Sequence, residues 1–177
     1  LICSYLLAAS SEGVFSPQVQ FKLLTNLKDG TREERIFQLA DSVLINGEKT
    51  AAGDALAVIA DANGGDFHVP MTYALNGKGK IKSIWLYAQT IPMGYMTYQS
   101  ANRSFDGLYY LDANSITYFV DIRDYETVYA GTAVKLNNSA RYQVRIFDPV
   151  GEDFSLKKRI FIVYVDLENA SGTTLDE

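Results

Sequence analysis

The side chains that could support nucleophilic catalysis are few. His68 is the one histidine, and it stands in the segment 66–70 between apolar neighbours. The chain contains no G-x-S-x-G sequence, and its one cysteine, Cys3, lies in an apolar segment where a thiolate is disfavoured. The sequence therefore predicts a strand histidine and no catalytic residue of this kind.

Pairs of acidic residues could act as the general acid and base of a glycosidase, which needs two carboxyl groups about 5–10 Å apart across a cleft. The acids that are close in sequence are Asp121, Asp124 and Glu126, and also Glu152 and Asp153. Asp and Glu favour solvated turns of this type. We therefore expect a non-enzymatic protein and place a carboxylate enzyme last among three classes of function.

One loop carries side-chain oxygens at a spacing that suits a calcium ion. Asp61, Asn63 and Asp66 surround a glycine, Gly64, that permits a tight turn. The loop lacks the bidentate glutamate that closes an EF-hand loop, and an Asx-rich turn without metal is the alternative. Calcium is the one cofactor that the sequence suggests.

Aromatic side chains are concentrated in the irregular stretch 91–110. Exposed rings at the edge of a β-sheet can stack on sugars, and a tyrosine presents both an apolar ring and a polar hydroxyl. The candidates for a carbohydrate site are Tyr95, Tyr98, Phe105, Tyr109 and Tyr110. The alternative is that these rings fill a core or a subunit interface, where tyrosine is also enriched.

The elements that must position these residues are short strands. Apolar and polar residues alternate over 141–147, which indicates a strand with one buried face. The segment 148–151 contains Pro and Gly and predicts a turn, and residues 159–165 are apolar on both faces. Together they predict an antiparallel pair in the middle of a sheet.

The rest of the chain shows the same pattern, with nine or ten short strands separated by Gly, Asn and Asp. It predicts an all-β fold, an immunoglobulin-like or jelly-roll antiparallel β-sandwich over residues 13–168, followed by a polar tail at 169–177.

Residues 32–45 are ambiguous. We favour a strand with a bulge near Asp41, and one short helix at 32–45 is the alternative. The stretch 91–107 is either a long loop or an edge hairpin.

Composition excludes some partners. The formal net charge is −5 and the pI is about 4.9, which argues against nucleic acid as a partner. One cysteine excludes an internal disulfide, and no apolar run is long enough to span a bilayer.

The N-terminal segment 1–12 is apolar and must be buried in something. It is either the first strand of its own sheet, a strand or short helix donated to another subunit, the end of a signal peptide, or the start of a lipoprotein at Cys3, where Ile2 does not fit the small residue required. The residues predicted to make subunit contacts are Leu1, Ile2, Tyr5, Leu6 and Leu7. We therefore expect an extracytoplasmic, secreted or cell-surface protein with a structural or adhesive role. It would assemble with copies of itself into a fibre, surface layer or capsid. A carbohydrate-binding module, assisted by calcium, is the alternative.

Overall fold

The computed structural model describes residues 2–15, 18–150 and 158–170. Within these ranges the chain forms strands, a 3₁₀ turn and two short helices. It divides into two compact units, of which the first holds Leu1–Tyr87 and the second holds Ala88–Pro149 with the C-terminal strand. Each unit contains one six-stranded sheet. These two sheets confirm the predicted all-β class.

The sheet of the first unit closes on itself. Its strands are β1 (Ile2–Glu12), β2 (Gln18–Asn26), β3 (Arg32–Ile45), β4 (Glu48–Ala51), β5 (Pro70–Leu75) and β6 (Ile81–Leu86). The strand order is β2-β1-β5-β6-β3-β4, and β2 also pairs with β3, so five strands form a ring. β3 and β6 are parallel, and the other pairs are antiparallel. This connectivity has the topology of an OB-fold, and topology alone carries no function.

Residues 32–45 form strand β3, so the alternative of a helix at 32–45 is wrong. Asn46 (φ 51°) and Gly47 (φ 86°) form the two-residue turn to β4, and an Asn-Gly turn matches the twist of a hairpin. The β3–β6 register shifts between Leu39 and Leu44, which brackets the predicted bulge. The short helix lies later: α1 (Ala55–Ala62) follows a 3₁₀ turn, Ala52–Asp54.

The interior of the first unit is apolar and is filled by inward-facing residues of the ring and by α1. Ala55 and Ile59 are fully buried and lie one helical turn apart, so one face of the helix packs on the strands. The buried strand residues of this cluster include Leu6, Phe21, Leu23, Leu39, Val43, Met71, Tyr73, Ile81 and Ile84.

The second unit contains the predicted antiparallel pair. Its strands are β7 (Ala88–Gln99), β8 (Ser104–Phe105), β9 (Tyr109–Tyr110), β10 (Ser115–Asp121), β11 (Arg141–Asp148) and β12 (Arg159–Val165). The order is β10-β12-β11-β7-β8-β9, so β11 and β12 are central, and they are antiparallel. β7, β8 and β9 form a meander at the edge of the sheet. Of the two alternatives for 91–107, the edge hairpin therefore agrees with the structure and the long loop does not. Helix α2 (Leu167–Ala170) follows β12.

One apolar cluster of the second unit lies on one face of its sheet, and Phe147, Ile160 and Ile162 on the other face are also fully buried. Met96 and Tyr98 of β7 and Val144 and Ile146 of β11 point to the face that carries the cluster, because side chains alternate along a strand. The other buried members of the cluster are Phe105, Phe119, Val134, Leu136, Phe161, Val163, Val165 and Leu167. None of the helices in the described part of the chain has both the length and the apolarity that crossing a membrane requires.

Candidate functional site

Two of the five predicted sugar-binding aromatics lie in the core, so the prediction for them is wrong. Tyr98 is 3% exposed and Phe105 is fully buried. The two rings are 5.4 Å apart, and Phe105 stacks on Phe161 at 6.1 Å. Both residues occupy core-facing positions of the β7–β8 pair, so their rings pack inward and cannot reach a ligand.

Two further candidates lie near the edge of the same sheet. Tyr109 is half-buried, and the Arg159 guanidinium lies 5.7 Å from its ring centroid. Tyr110 is 48% exposed, and its hydroxyl donates a hydrogen bond to the Gly107 carbonyl at 3.2 Å. Of these two rings, only that of Tyr110 offers a large surface to solvent.

Tyr95 is the candidate that the structure places in a group of polar and aromatic side chains. It is 56% exposed and lies opposite Gln143 in the β7–β11 register, on the face of the sheet away from the Met96 side chain. The Arg141 guanidinium lies 5.4 Å from the Tyr95 ring centroid. This geometry is that of a cation–π contact, and it holds one side of the ring in place.

Tyr125 completes this group. Its hydroxyl donates a 2.6 Å hydrogen bond to Oε1 of Gln143, and its ring packs at 5.0 Å on Tyr164. Tyr125 is 41% exposed. We call the surface formed by Tyr95, Tyr125, Arg141 and Gln143 the Tyr95 face. The alternation over 141–147 predicts Arg141 and Gln143 on the polar face of a strand, and no sequence pattern points to Tyr125.

The backbone of Tyr125 is held in an unfavourable conformation. Its φ is 57°, in the left-handed region that bulky residues rarely adopt. The turn is fixed because the Tyr125 amide donates to the Asp121 carbonyl, and the Asp124 carboxylate accepts the amides of Glu126 and Thr127. Strain of about 1–3 kcal/mol persists only where its surroundings impose it, and such residues cluster at binding sites.

Two of the acids that are close in sequence, Asp121 and Asp124, make contacts in this turn. The Thr127 hydroxyl and the two amides lower the pKa of Asp124 to about 2. Asp121 is 4% exposed, and its carboxylate accepts hydrogen bonds from the Arg123 guanidinium, which lower its pKa. Arg123 also pairs with Glu168 at 2.5 Å. Both aspartates are therefore engaged as anions in structural contacts.

The N-terminal segment lies in its own sheet. Strand β1 pairs with β2 and β5, so this segment is the first strand of its own sheet, as one of the alternatives predicts. Tyr5 is 1% exposed and Leu6 is fully buried, so these side chains are not available for the predicted subunit contacts. Leu7 is half-buried, Ile2 pairs through its backbone with Tyr73, and Leu1 lies outside the described residues.

The predicted calcium residues have other roles. Asp61 belongs to α1, and the Asn63 amide donates to the Ile59 carbonyl at the end of that helix. Asp66 accepts a hydrogen bond from the backbone amide of His68 at 2.9 Å. Across residues 2–15, 18–150 and 158–170, no group of three or more His, Cys, Asp and Glu side chains has an arrangement that could hold a metal ion.

Comparison of the chain with protein-family models, with curated proteins and with solved structures found no match.

Proposed function

We propose that this chain is a non-enzymatic adhesive module of an extracytoplasmic surface protein, and that it binds carbohydrate through the Tyr95 face. The observation that carries the proposal is an exposed tyrosine ring, Tyr95, flanked by the guanidinium of Arg141 and the amide of Gln143. A sugar ring presents an apolar C–H face and a rim of hydroxyl groups. An aromatic surface beside planar hydrogen-bonding groups complements both.

The polar groups of the Tyr95 face are held in place before a ligand arrives. Oε1 of Gln143 accepts the Tyr125 hydroxyl, and the amide nitrogen of Gln143 has no hydrogen-bond partner among the described residues. The Arg141 guanidinium contacts the Tyr95 ring. These side chains therefore offer donors to a ligand hydroxyl, and their order reduces the entropy lost on binding.

Tyr110 provides a matched control because it is exposed to a similar extent and lies outside the Tyr95 face. Gln99 aligns with Ser104, and Ser104 aligns with Tyr110. Two strand spacings of about 4.8 Å and four residues of about 3.3 Å place the Cα atoms of Tyr95 and Tyr110 roughly 16 Å apart. A disaccharide on Tyr95 is shorter than this distance and does not reach Tyr110.

The experiment is a binding assay on cellulose, chitin and peptidoglycan, followed by titration calorimetry with short oligosaccharides of the polymer that retains the chain. We expect Tyr95→Ala to weaken binding at least tenfold, about 1.4 kcal/mol, and Tyr110→Ala to leave it unchanged. Retention on none of the three polymers, or equal loss in both variants, would contradict the proposal.

A self-assembling structural subunit is a second candidate, and a different observation favours it. Val14 and Phe15, in the loop between β1 and β2, are 89% and 99% exposed. Consecutive large apolar side chains in water favour a partner surface. Light scattering of the full chain over a wide range of concentration tests this candidate. An average mass that stays at that of one chain throughout would remove it.

A further inference from the structure

The β1–β2 hairpin carries a shallow groove on its outer surface. The groove has a volume of about 110 Å³ and is lined by Ala8, Ala9, Ser10, Gln20, Lys22 and Ile36. Ala8 aligns with Lys22 on β2, and Lys22 aligns with Ile36 on β3, so the groove crosses three adjacent strands. Ile36 is 64% exposed, although full burial of an isoleucine side chain is favourable by about 1.5–3 kcal/mol of free energy.

We propose that Phe15 of one copy of this chain docks in the groove of a second copy, and that the contact is reciprocal. This inference rests on the second candidate function and names its surface. The groove has the size of a single side chain, and Ala8 and Ile36, two of its exposed lining residues, are apolar. Phe15 is the most exposed large apolar residue of the described chain.

The position of the two surfaces on one hairpin favours a reciprocal contact. Phe15 lies in the loop of the hairpin whose two strands carry the groove, five positions along the chain from Ser10 and from Gln20. Two hairpins that lie side by side in opposite directions therefore place each tip over the groove of the other copy. Such a contact has two-fold symmetry and closes as a dimer, whereas a one-way contact would extend into a filament.

The charge of the hairpin disfavours an anionic membrane as the occupant of the groove. Glu12 is the one charged residue between residues 8 and 21, and no Lys or Arg lies in that range. Anionic lipid surfaces attract basic segments, so an acidic tip is poorly suited to them. The Lys22 ammonium at the groove is paired with Glu34 at 3.1 Å.

The same geometry predicts a repulsion at the centre of the dimer. Glu12 aligns with Gln18 midway between the tip and the groove, so the two copies bring their Glu12 carboxylates together at the symmetry axis. A contact of one hairpin with another buries less than about 1,200 Å², which is typical of weak interfaces. We therefore expect a weak dimer that is strengthened several-fold by Glu12→Gln and, to a similar extent, by added salt.

The test is sedimentation velocity of the full chain at increasing concentration. Phe15→Ser and Ile36→Ser should each weaken dimerisation at least tenfold, and the control Leu108→Ser, a residue 68% exposed in the second unit, should not. Because Phe15 and Ile36 are exposed, these variants keep the fold, which circular dichroism verifies. If the Phe15→Ser variant assembles as well as the native chain, the hairpin contact is overturned and self-assembly stands. A chain that never assembles would overturn both.

A cross-linking experiment identifies the partner surface directly. Chains with Phe15→Cys are mixed with chains with Ile36→Cys under mild oxidation, and a mixed disulfide dimer is expected. The native Cys3 is buried, at 3% exposure, and stays unreactive. Phe15-dependent binding to phosphatidylcholine or phosphatidylserine vesicles, without the mixed dimer, would assign the hairpin tip to lipid and contradict the proposal.

Discussion

The hydroxyl of Tyr125 donates a 2.6 Å hydrogen bond to Oε1 of Gln143, and this contact links a strained turn to the Tyr95 face. Gln143 lies opposite Tyr95, so the orientation of its amide sets which hydrogen-bonding group stands beside the exposed ring. Without Tyr125, the amide of Gln143 could rotate. The turn at 121–127 therefore supports the Tyr95 face from a distant part of the sequence.

The variant Tyr125→Phe tests this link. It keeps the ring contact with Tyr164 and removes one hydrogen bond, so we expect carbohydrate affinity to fall several-fold, by about 0.5–1.5 kcal/mol. Unfolding free energy should change by less than about 1 kcal/mol, because Tyr125 is partly exposed. Calorimetry and urea denaturation measure the two quantities. Tyr110→Phe is the control. Equal carbohydrate affinities of the two variants would show that binding does not depend on the hydrogen bond from Tyr125 to Gln143.

Strand positions could be predicted from the sequence because side-chain alternation is a local property. The alternation over 141–147 and the apolar run over 159–165 match β11 and β12 to within a residue, whereas Asn46-Gly47 suits either the end of a helix or a hairpin turn. The closure of the first sheet could not be predicted. It depends on the pairing of β2 with β3 and of β3 with β6, and local sequence patterns do not determine which distant strands meet.

The candidate site was predicted only in part, for a related reason. Tyr95 and Tyr98 lie three residues apart on one strand, so their side chains point to opposite faces, and the irregular sequence of this stretch did not reveal which face is buried. Tyr125 was missed because its role depends on a left-handed backbone and on the proximity of Gln143, 18 residues later. Neither property has a sequence signal of its own.

The burial of Phe105 predicts a large difference between two aromatic substitutions in the second unit. Phe105→Ala removes a fully buried ring and should lower the free energy of unfolding by about 3–5 kcal/mol. Tyr95→Ala removes an exposed ring and should lower it by less than about 1 kcal/mol. Urea denaturation of both variants measures the difference. Similar losses would contradict the assignment of Phe105 to the core and Tyr95 to the surface.

The turn between β3 and β4 predicts a specific effect at Gly47. Its φ is 86°, where an L side chain is strained, and an added Cβ would lie 3.5 Å from the Trp85 ring. The space is sufficient, so the backbone sets the cost, and we expect Gly47→Ala to destabilise the chain by about 1–2 kcal/mol. Gly77→Ala is the control, because Gly77 has an ordinary φ and open space around it. Thermal unfolding should separate the two variants by several degrees, and equal midpoints would contradict the strain at Gly47.

The turn that carries Tyr125 also predicts how stability depends on pH. The folded state lowers the pKa of Asp124 from 3.8 to about 2, chiefly through the Thr127 hydroxyl. A lowered pKa stabilises the folded chain above the ordinary value of the carboxyl group, and that contribution disappears as the pH falls through the folded value. The free energy of unfolding should therefore decline between about pH 4 and pH 2. Asp121, whose pKa is lowered by Arg123, adds to the same decline.

The variant Thr127→Val isolates the contribution of this hydrogen bond. It returns the pKa of Asp124 toward its ordinary value, so the chain should be less stable at neutral pH and should lose less stability on acidification. Urea denaturation midpoints across the acid range measure both effects. Thr132→Val is the matched control, since Thr132 is exposed in the same connection and has no carboxylate partner in the described chain. If the stability of the two variants depended on pH in the same way, the Thr127 hydroxyl would not be the group that lowers the pKa of Asp124. Another contact would then have to order the turn that carries Tyr125.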